Sequence, residues 1–193
     1  MVNKIFLSAS IPLSDSDPKY IGTADISAIR DAVNALAKVV IPNAILVWGG
    51  HPTITPLIRM ILGKLEIDVS KHVVLYQSEF FSKEYPSDNE HIECIKLIKE
   101  VDNSRDESLA LMRKKMIEGN DFIAGIFIGG MEGVEDEFNL FKQYHPDALL
   151  LPVATTGAAA LSIYQASPEN YMEELNTDYA YMALFTKLLK GRI

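Results

Sequence analysis

Short, uninterrupted apolar runs alternate along the chain with longer stretches in which apolar residues recur every three or four positions. The first pattern suits strands buried on both faces of a parallel sheet, and the second suits amphipathic helices that cover such a sheet. Residues 4–8 (KIFLS) read as the first strand, leaving through Ser8-Ala9-Ser10-Ile11-Pro12. Residues 13–23 are polar, broken by Pro18 and Gly22, and read as a loop long enough to form a flap. Over 25–40, Ile26, Ile29, Val33, Leu36 and Val40 keep helical spacing, and Pro42 bars continuation. Residues 44–48 read as the second strand, which ends in a glycine pair. Thr53 or Thr55 then caps a helix with Pro56 at its first position and Leu57, Ile58, Ile61, Leu62 and Leu65 on its buried side.

Residues 72–76 (HVVLY) read as the third strand. The segment that follows, 77–90, carries Phe80, Phe81 and Tyr85, which either stack on a ligand or anchor the loop, the second being the safer expectation. A strand is expected over 95–101. Ser104 and Glu107 form a capping box for a helix that turns Leu109, Met112 and Met116 inward and closes at Gly119. The apolar run 122–128 (FIAGIFI) breaks at Gly129-Gly130 and restarts as a helix with Val134, Phe138 and Phe141 at i, i+4 and i+7. Residues 148–153 form another strand, running into Ala154-Thr155-Thr156-Gly157 and the small residues 158–160. Residues 165–170 are a loop, and a last helix starting at Thr177 or Asp178 buries Tyr181, Leu184, Phe185 and Leu188. Strand then helix, repeated about five times, predicts one α/β domain over residues 1–193, a three-layer Rossmann-like sandwich with a mainly parallel sheet.

In such a sheet the strand exits share one rim, where ligands bind. Four loops are expected there: Ser8 and Ser10; Gly49, Gly50 and His51; Gly129, Gly130, Met131, Glu132 and Gly133; Thr155, Thr156 and Gly157. Glycines at a strand-to-helix junction let backbone N–H groups approach an anion, and the helix end adds partial positive charge. Each of these loops also reads as an ordinary tight turn or close-packing device. His51 serves as base, phosphate contact or proton donor, or lies on the surface.

Composition narrows the choice of partner. With 26 acids against 18 bases the 193-residue chain carries a net charge of −8, which repels nucleic acid and anionic membranes alike. No window has the length of a membrane span and no secretory leader opens the chain, so a cytoplasmic location is expected. Cys94 is the only cysteine and the four histidines lack ligand spacing, so neither a disulfide nor a metal site is expected. There is no Walker lysine pattern and no GxGxxG, which points away from an NTPase or a dinucleotide dehydrogenase, and no cofactor is called for.

Glu137 is the exception in its helix. It lies on the flank of the Val134/Phe138/Phe141 stripe, whereas Glu135 and Asp136 point away and complement the helix dipole. Upstream, Arg113-Lys114 precedes Gly129-Gly130 by sixteen residues, followed by Gly133 and Glu137. This order resembles the signature of the LOG, or "lysine decarboxylase-like", proteins of the SLOG superfamily: Arg-Lys on a helix, an apolar strand, then Pro-Gly-Gly-x-Gly-Thr-x-x-Glu. Ile128 stands in place of the Pro and Val134 in place of the Thr, and one extra residue separates Gly130 from Gly133.

The resemblance implies a Rossmann-like domain with a nucleotide-like ligand on the rim. In LOG enzymes the matched Arg and Glu cleave the N-glycosidic bond of a nucleoside monophosphate, which assigns Arg113 and Glu137 as the catalytic pair of a nucleotide N-glycosidase or phosphoribohydrolase. Because the glycines are kept while the Pro and Thr are not, the leading expectation is a nucleotide-binding sensor or effector module. Hydrolysis is the alternative, and a non-catalytic interaction module is a third. The resemblance also implies pairing of such domains, so a homo-oligomer is expected.

Overall fold

A computed structural model describes residues 2–65 and 71–193. Six strands form one sheet: β1 (Lys4–Ser10), β2 (Ile45–Gly49), β3 (Val73–Ser78), β4 (Ile95–Ile98), β5 (Phe122–Gly129) and β6 (Leu149–Val153). Their order is β4-β3-β2-β1-β5-β6, and every pairing is parallel. The "mainly parallel" sheet is thus wholly parallel among the described residues. The chain winds outward from β1 to β4, returns to lay β5 against the other side of β1, and continues to β6. The direction of winding reverses between β1 and β5, and a crevice opens beyond the strand ends at such a reversal.

The helices are α1 (Pro18–Ile21), α2 (Ile26–Val40), α3 (Thr55–Leu62), α4 (Arg105–Glu118), α5 (Glu132–Tyr144), α6 (Ala158–Ala166), α7 (Glu174–Thr177) and α8 (Tyr181–Leu188). Strand residues alternate between two cores because successive side chains point to opposite faces. Ile5 and Leu7 join the core with α2, α3 and α8, while Phe6 joins the core with α4, α5 and α6. On the second face Phe6 stacks on Phe141 with ring centroids 5.2 Å apart, and Phe127 meets Phe138 edge-on. Gly125 makes room for this cluster, since a Cβ there would lie 2.9 Å from the Phe141 ring.

Several element ends differ from the expectations. The helix expected from 25 starts one residue later, with Asp25 as its cap accepting the Ala28 amide at 2.9 Å. Neither threonine caps α3: Thr55 takes its first position and accepts a hydrogen bond from the buried Trp48 indole, while Thr53 bonds His51. The expected strand 95–101 stops at Ile98, with Val101 in a lone bridge to Ser104. Only half of the capping box forms, Ser104 Oγ accepting the Glu107 amide at 3.4 Å. The expected loop 13–23 contains the short α1, and the last helix begins at Tyr181 after Asp178 has bonded the Ala180 amide. Local side-chain bonds of this kind set helix ends, and several competing donors and acceptors were available at each.

Candidate functional site

A cavity of about 700 Å³ lies beyond the carboxyl ends of β1, β2 and β3, walled on the far side by α4 and the start of α5. That volume is typical of small-molecule sites. The period of two along β1 puts Ser8 on the same face as Phe6, toward α5. There Ser8 Oγ donates to Glu137 Oε2 at 2.6 Å. Arg113, on α4, donates from Nε to Glu137 Oε1 at 3.3 Å and from Nη1 to Asp136 Oδ2 at 3.2 Å. Both Arg113 and Glu137 line the cavity, and their side chains are 19% and 14% exposed. Asp136 therefore does more than complement the helix dipole: it is the second anchor of the guanidinium. Gly133 makes the arrangement sterically possible, because a Cβ there would sit 2.5 Å from Arg113 Nη2.

Burial pushes the Glu137 carboxyl above the ordinary carboxylate range, against the opposing pull of Arg113 and the Ser8 hydroxyl. Each carboxylate oxygen keeps a second lone pair beyond its internal bond, so the group can still accept from a ligand. A titratable group with a shifted pKa, a charge partner and a place in a cleft is a functional-site candidate on physical grounds.

The glycine loop after β5 is arranged differently from the expectation. Gly129 and Gly130 have φ of +56° and +91°. Their amides are both used internally, Gly129 N–H donating to Thr156 Oγ1 at 2.8 Å and Gly130 N–H to the Ser10 carbonyl at 2.9 Å. Neither residue lines the cavity. The backbone donors that remain are one step further on: the amides of Met131, Glu132 and Gly133 at the start of α5 have no acceptor among the described residues. All three line the cavity, beside Arg113.

Thr155, Thr156 and Gly157 do not reach the cavity either. Thr155 Oγ1 meets Tyr181 Oη at 3.0 Å, and Thr156 Oγ1 donates to the Val153 carbonyl at 2.6 Å. Thr23 closes over this loop from outside, its Oγ1 accepting the Ala158 amide at 3.0 Å. A Cβ on Gly157 would collide with the Thr23 carbonyl.

Gly49, Gly50, His51 and Ser10 do line the cavity. Gly50 is gripped by Gln77, whose Nε2 donates to its carbonyl at 3.0 Å; Gln77 was not foreseen, since a glutamine within a strand gives no signal of its own. His51 Nδ1 lies 2.8 Å from Thr53 Oγ1, and burial lowers its pKa to about 4. The segment 79–91, in short 3-10 turns, closes one side with Phe81 and Tyr85, the latter anchored by a 2.7 Å bond from its hydroxyl to the Ser78 carbonyl. Arg105 and Asp106, at the start of α4, also line the cavity and were likewise unforeseen: Asp106 reads as a first-turn acid complementing the helix dipole, and Arg105 as a solvated surface charge. Among the described residues no group of three or more His, Cys, Asp or Glu is placed to hold a metal ion, and no helix is long and apolar enough to cross a membrane.

A wholly parallel Rossmann-like sheet with a cavity beyond the carboxyl ends of its strands defines the class of fold. The model of the SLOG cluster3 family matches residues 19–189, and the chain belongs to that family. Among solved structures it is similar to the X-ray structure of TM1055, a Northeast Structural Genomics Consortium target: 11% identity, 84% of this chain and 81% of that chain covered, TM-score 0.48. No curated protein matches the chain.

Proposed function

We propose that the protein binds a nucleotide or nucleotide-derived ligand in this cavity, as a sensor or effector module. The observation that carries the proposal is the Arg113–Glu137 pair, joined at 3.3 Å inside the cavity beside the free amides of α5. A phosphate at that helix start would meet partial positive charge, N–H donors and a guanidinium together. Phe81 and Tyr85 supply aromatic surface on another wall for a base. Membership of the SLOG family and the Rossmann-like fold also support a nucleotide-related protein. The test is a thermal-shift screen over mono-, di- and cyclic nucleotides and ADP-ribose derivatives. A ligand at 100 times its dissociation constant adds about 2.7 kcal/mol to stability. Arg113→Ala should abolish the shift; a shift that survives it moves the site elsewhere.

One observation favours a second reading, N-glycosidic cleavage: both members of the pair enter the same cavity, and Glu137 is held at a raised pKa. Glu137 would take a proton from water as the water oxygen bonds the sugar carbon; the C–N bonding electrons would leave with the base, and the proton held by Glu137 would pass to it. Incubation with nucleoside monophosphates and NAD, with chromatography for free base, tests it. No release at high protein concentration, or release undiminished in Glu137→Gln, counts against this mechanism.

A further inference from the structure

We propose, resting on the nucleotide reading above, that His51 reads the nucleobase: its ring, locked by Thr53 with the proton on Nε2, donates to an uncharged acceptor, a base carbonyl oxygen or ring nitrogen. The lock follows from three contacts. Thr53 Oγ1 accepts the Ile11 amide at 3.2 Å, so its own hydroxyl proton is free to point to His51 Nδ1, 2.8 Å away. The Thr53 amide, which can only donate, also lies 3.3 Å from Nδ1. With Nδ1 accepting twice, the single proton of a neutral imidazole sits on Nε2.

Two further facts give this donor its task. Nε2 has no partner among the described residues, and His51 lines the cavity. Burial lowers the pKa of the ring, and the charged groups that share the cavity with it are Glu84, Arg105, Asp106, Arg113, Glu132, Asp136 and Glu137. The cavity residues next to His51 in the chain are apolar, Trp48, Pro52 and Ile54, with Leu7 paired to Trp48 across β1 and β2, whereas Arg113 and Glu137 come from α4 and α5. A phosphate against this ring would draw a second proton onto it, whereas Arg113 and the free amides at the start of α5 offer it a charged site within the same cavity. A base edge needs only the neutral donor and the apolar surface, and a site built to hydrogen-bond a ligand group rejects analogues that lack it.

The test combines the ring itself with ligand affinity. Two-bond ¹⁵N–¹H spectra of the labelled full chain should show protonated Nε2 and bare Nδ1 from neutral pH down to the acid range for the His51 ring, assigned by its loss in His51→Gln because His145 also holds its proton on Nε2 toward the Ile117 carbonyl; a proton on Nδ1 of His51, or its titration near the ordinary value, overturns the lock. Calorimetric titration with AMP, GMP, CMP, UMP, ADP-ribose and inorganic phosphate reads the role. The tightest-binding nucleotide should lose about tenfold in affinity in His51→Phe and regain most of it in His51→Gln, with phosphate affinity unmoved. The pH dependence of nucleotide affinity between about 8 and about 5.5, set by the phosphate and Glu137, should be the same in the wild type and in His51→Gln, whereas tightening at low pH in the wild type alone would mean a protonated ring on phosphate and would overturn the proposal. Nucleotide affinity undiminished in His51→Phe overturns the role of His51 alone; no binding by the wild-type chain overturns the nucleotide reading and this inference with it. Should His51→Phe fail to fold, the wild-type spectra and the His51→Gln titration still decide.

Discussion

Two glycine pairs end two parallel strands of this sheet, and they do opposite work. Gly49-Gly50, after β2, lines the cavity; Gly129-Gly130, after β5, is a packed hinge turned away from it. The backbone shows the difference. Gly129 and Gly130 occupy positive φ, and a Cβ on Gly130 would collide with the Val134 side chain, whereas neither Gly49 nor Gly50 is left-handed. A glycine pair at a strand exit is therefore a device for close approach, and what approaches is decided by the neighbours. At β5 it is the protein's own Ser10, Thr156 and Val134. At β2 it is Gln77 and Leu75 against Gly50 and the ends of Met112 and Met116 against Gly49, with both glycines lining the cavity as well.

The largest expected effect tests the hinge. Gly130→Ala forces a side chain into a left-handed backbone and against Val134, and should cost about 2–4 kcal/mol in urea unfolding. A neutral result would mean that the turn is loose enough to be a ligand cradle. Next in size, Arg113→Ala leaves the Glu137 carboxylate buried without its cation and should cost about 1–3 kcal/mol near neutral pH. Because an unpaired buried carboxyl binds its proton more readily, that cost should shrink as pH falls through the carboxyl's raised pKa; a cost independent of pH would show that the two side chains are not coupled.

The β2 turn makes a pH prediction. With its pKa near 4 in the fold against an ordinary 6.5, His51 is protonated first in the unfolded chain. Stability conferred by keeping it neutral is complete above the ordinary value and is lost as pH falls from there through the folded pKa, by about 1–2 kcal/mol after allowing for its partial contact with solvent. Comparing unfolding free energies of wild type and His51→Gln across that range isolates the contribution; parallel curves would refute it. The smallest effect should be Gly49→Ala, about 0.5 kcal/mol, since the new methyl meets only the flexible ends of Met112 and Met116, at 3.3 and 3.4 Å. A loss as large as that of Gly130→Ala would erase the distinction between the two turns.

The order of strands and helices was legible in the sequence because it depends on periodicity, which the chain carries locally: uninterrupted runs such as 122–128, and the stripes of 26–40 and 134–141. The parallel sheet followed from that order by connection rules, and with it the rim that carries both glycine pairs. Glu137 was legible for the same reason, as an acid beside an apolar stripe. Tertiary structure alone decided which loops face the cavity. Thr156 and Gly129 look like ligand donors in sequence, yet bond each other at 2.8 Å across β5 and β6. Asp136 looks like a dipole acid, yet holds Arg113 from a different helix, and Gln77 gives no sign that it will meet Gly50. Each of these depends on a partner distant in the chain. A donor can be read from the sequence, but whether it is already satisfied is settled only when the fold brings its acceptor within about 3 Å.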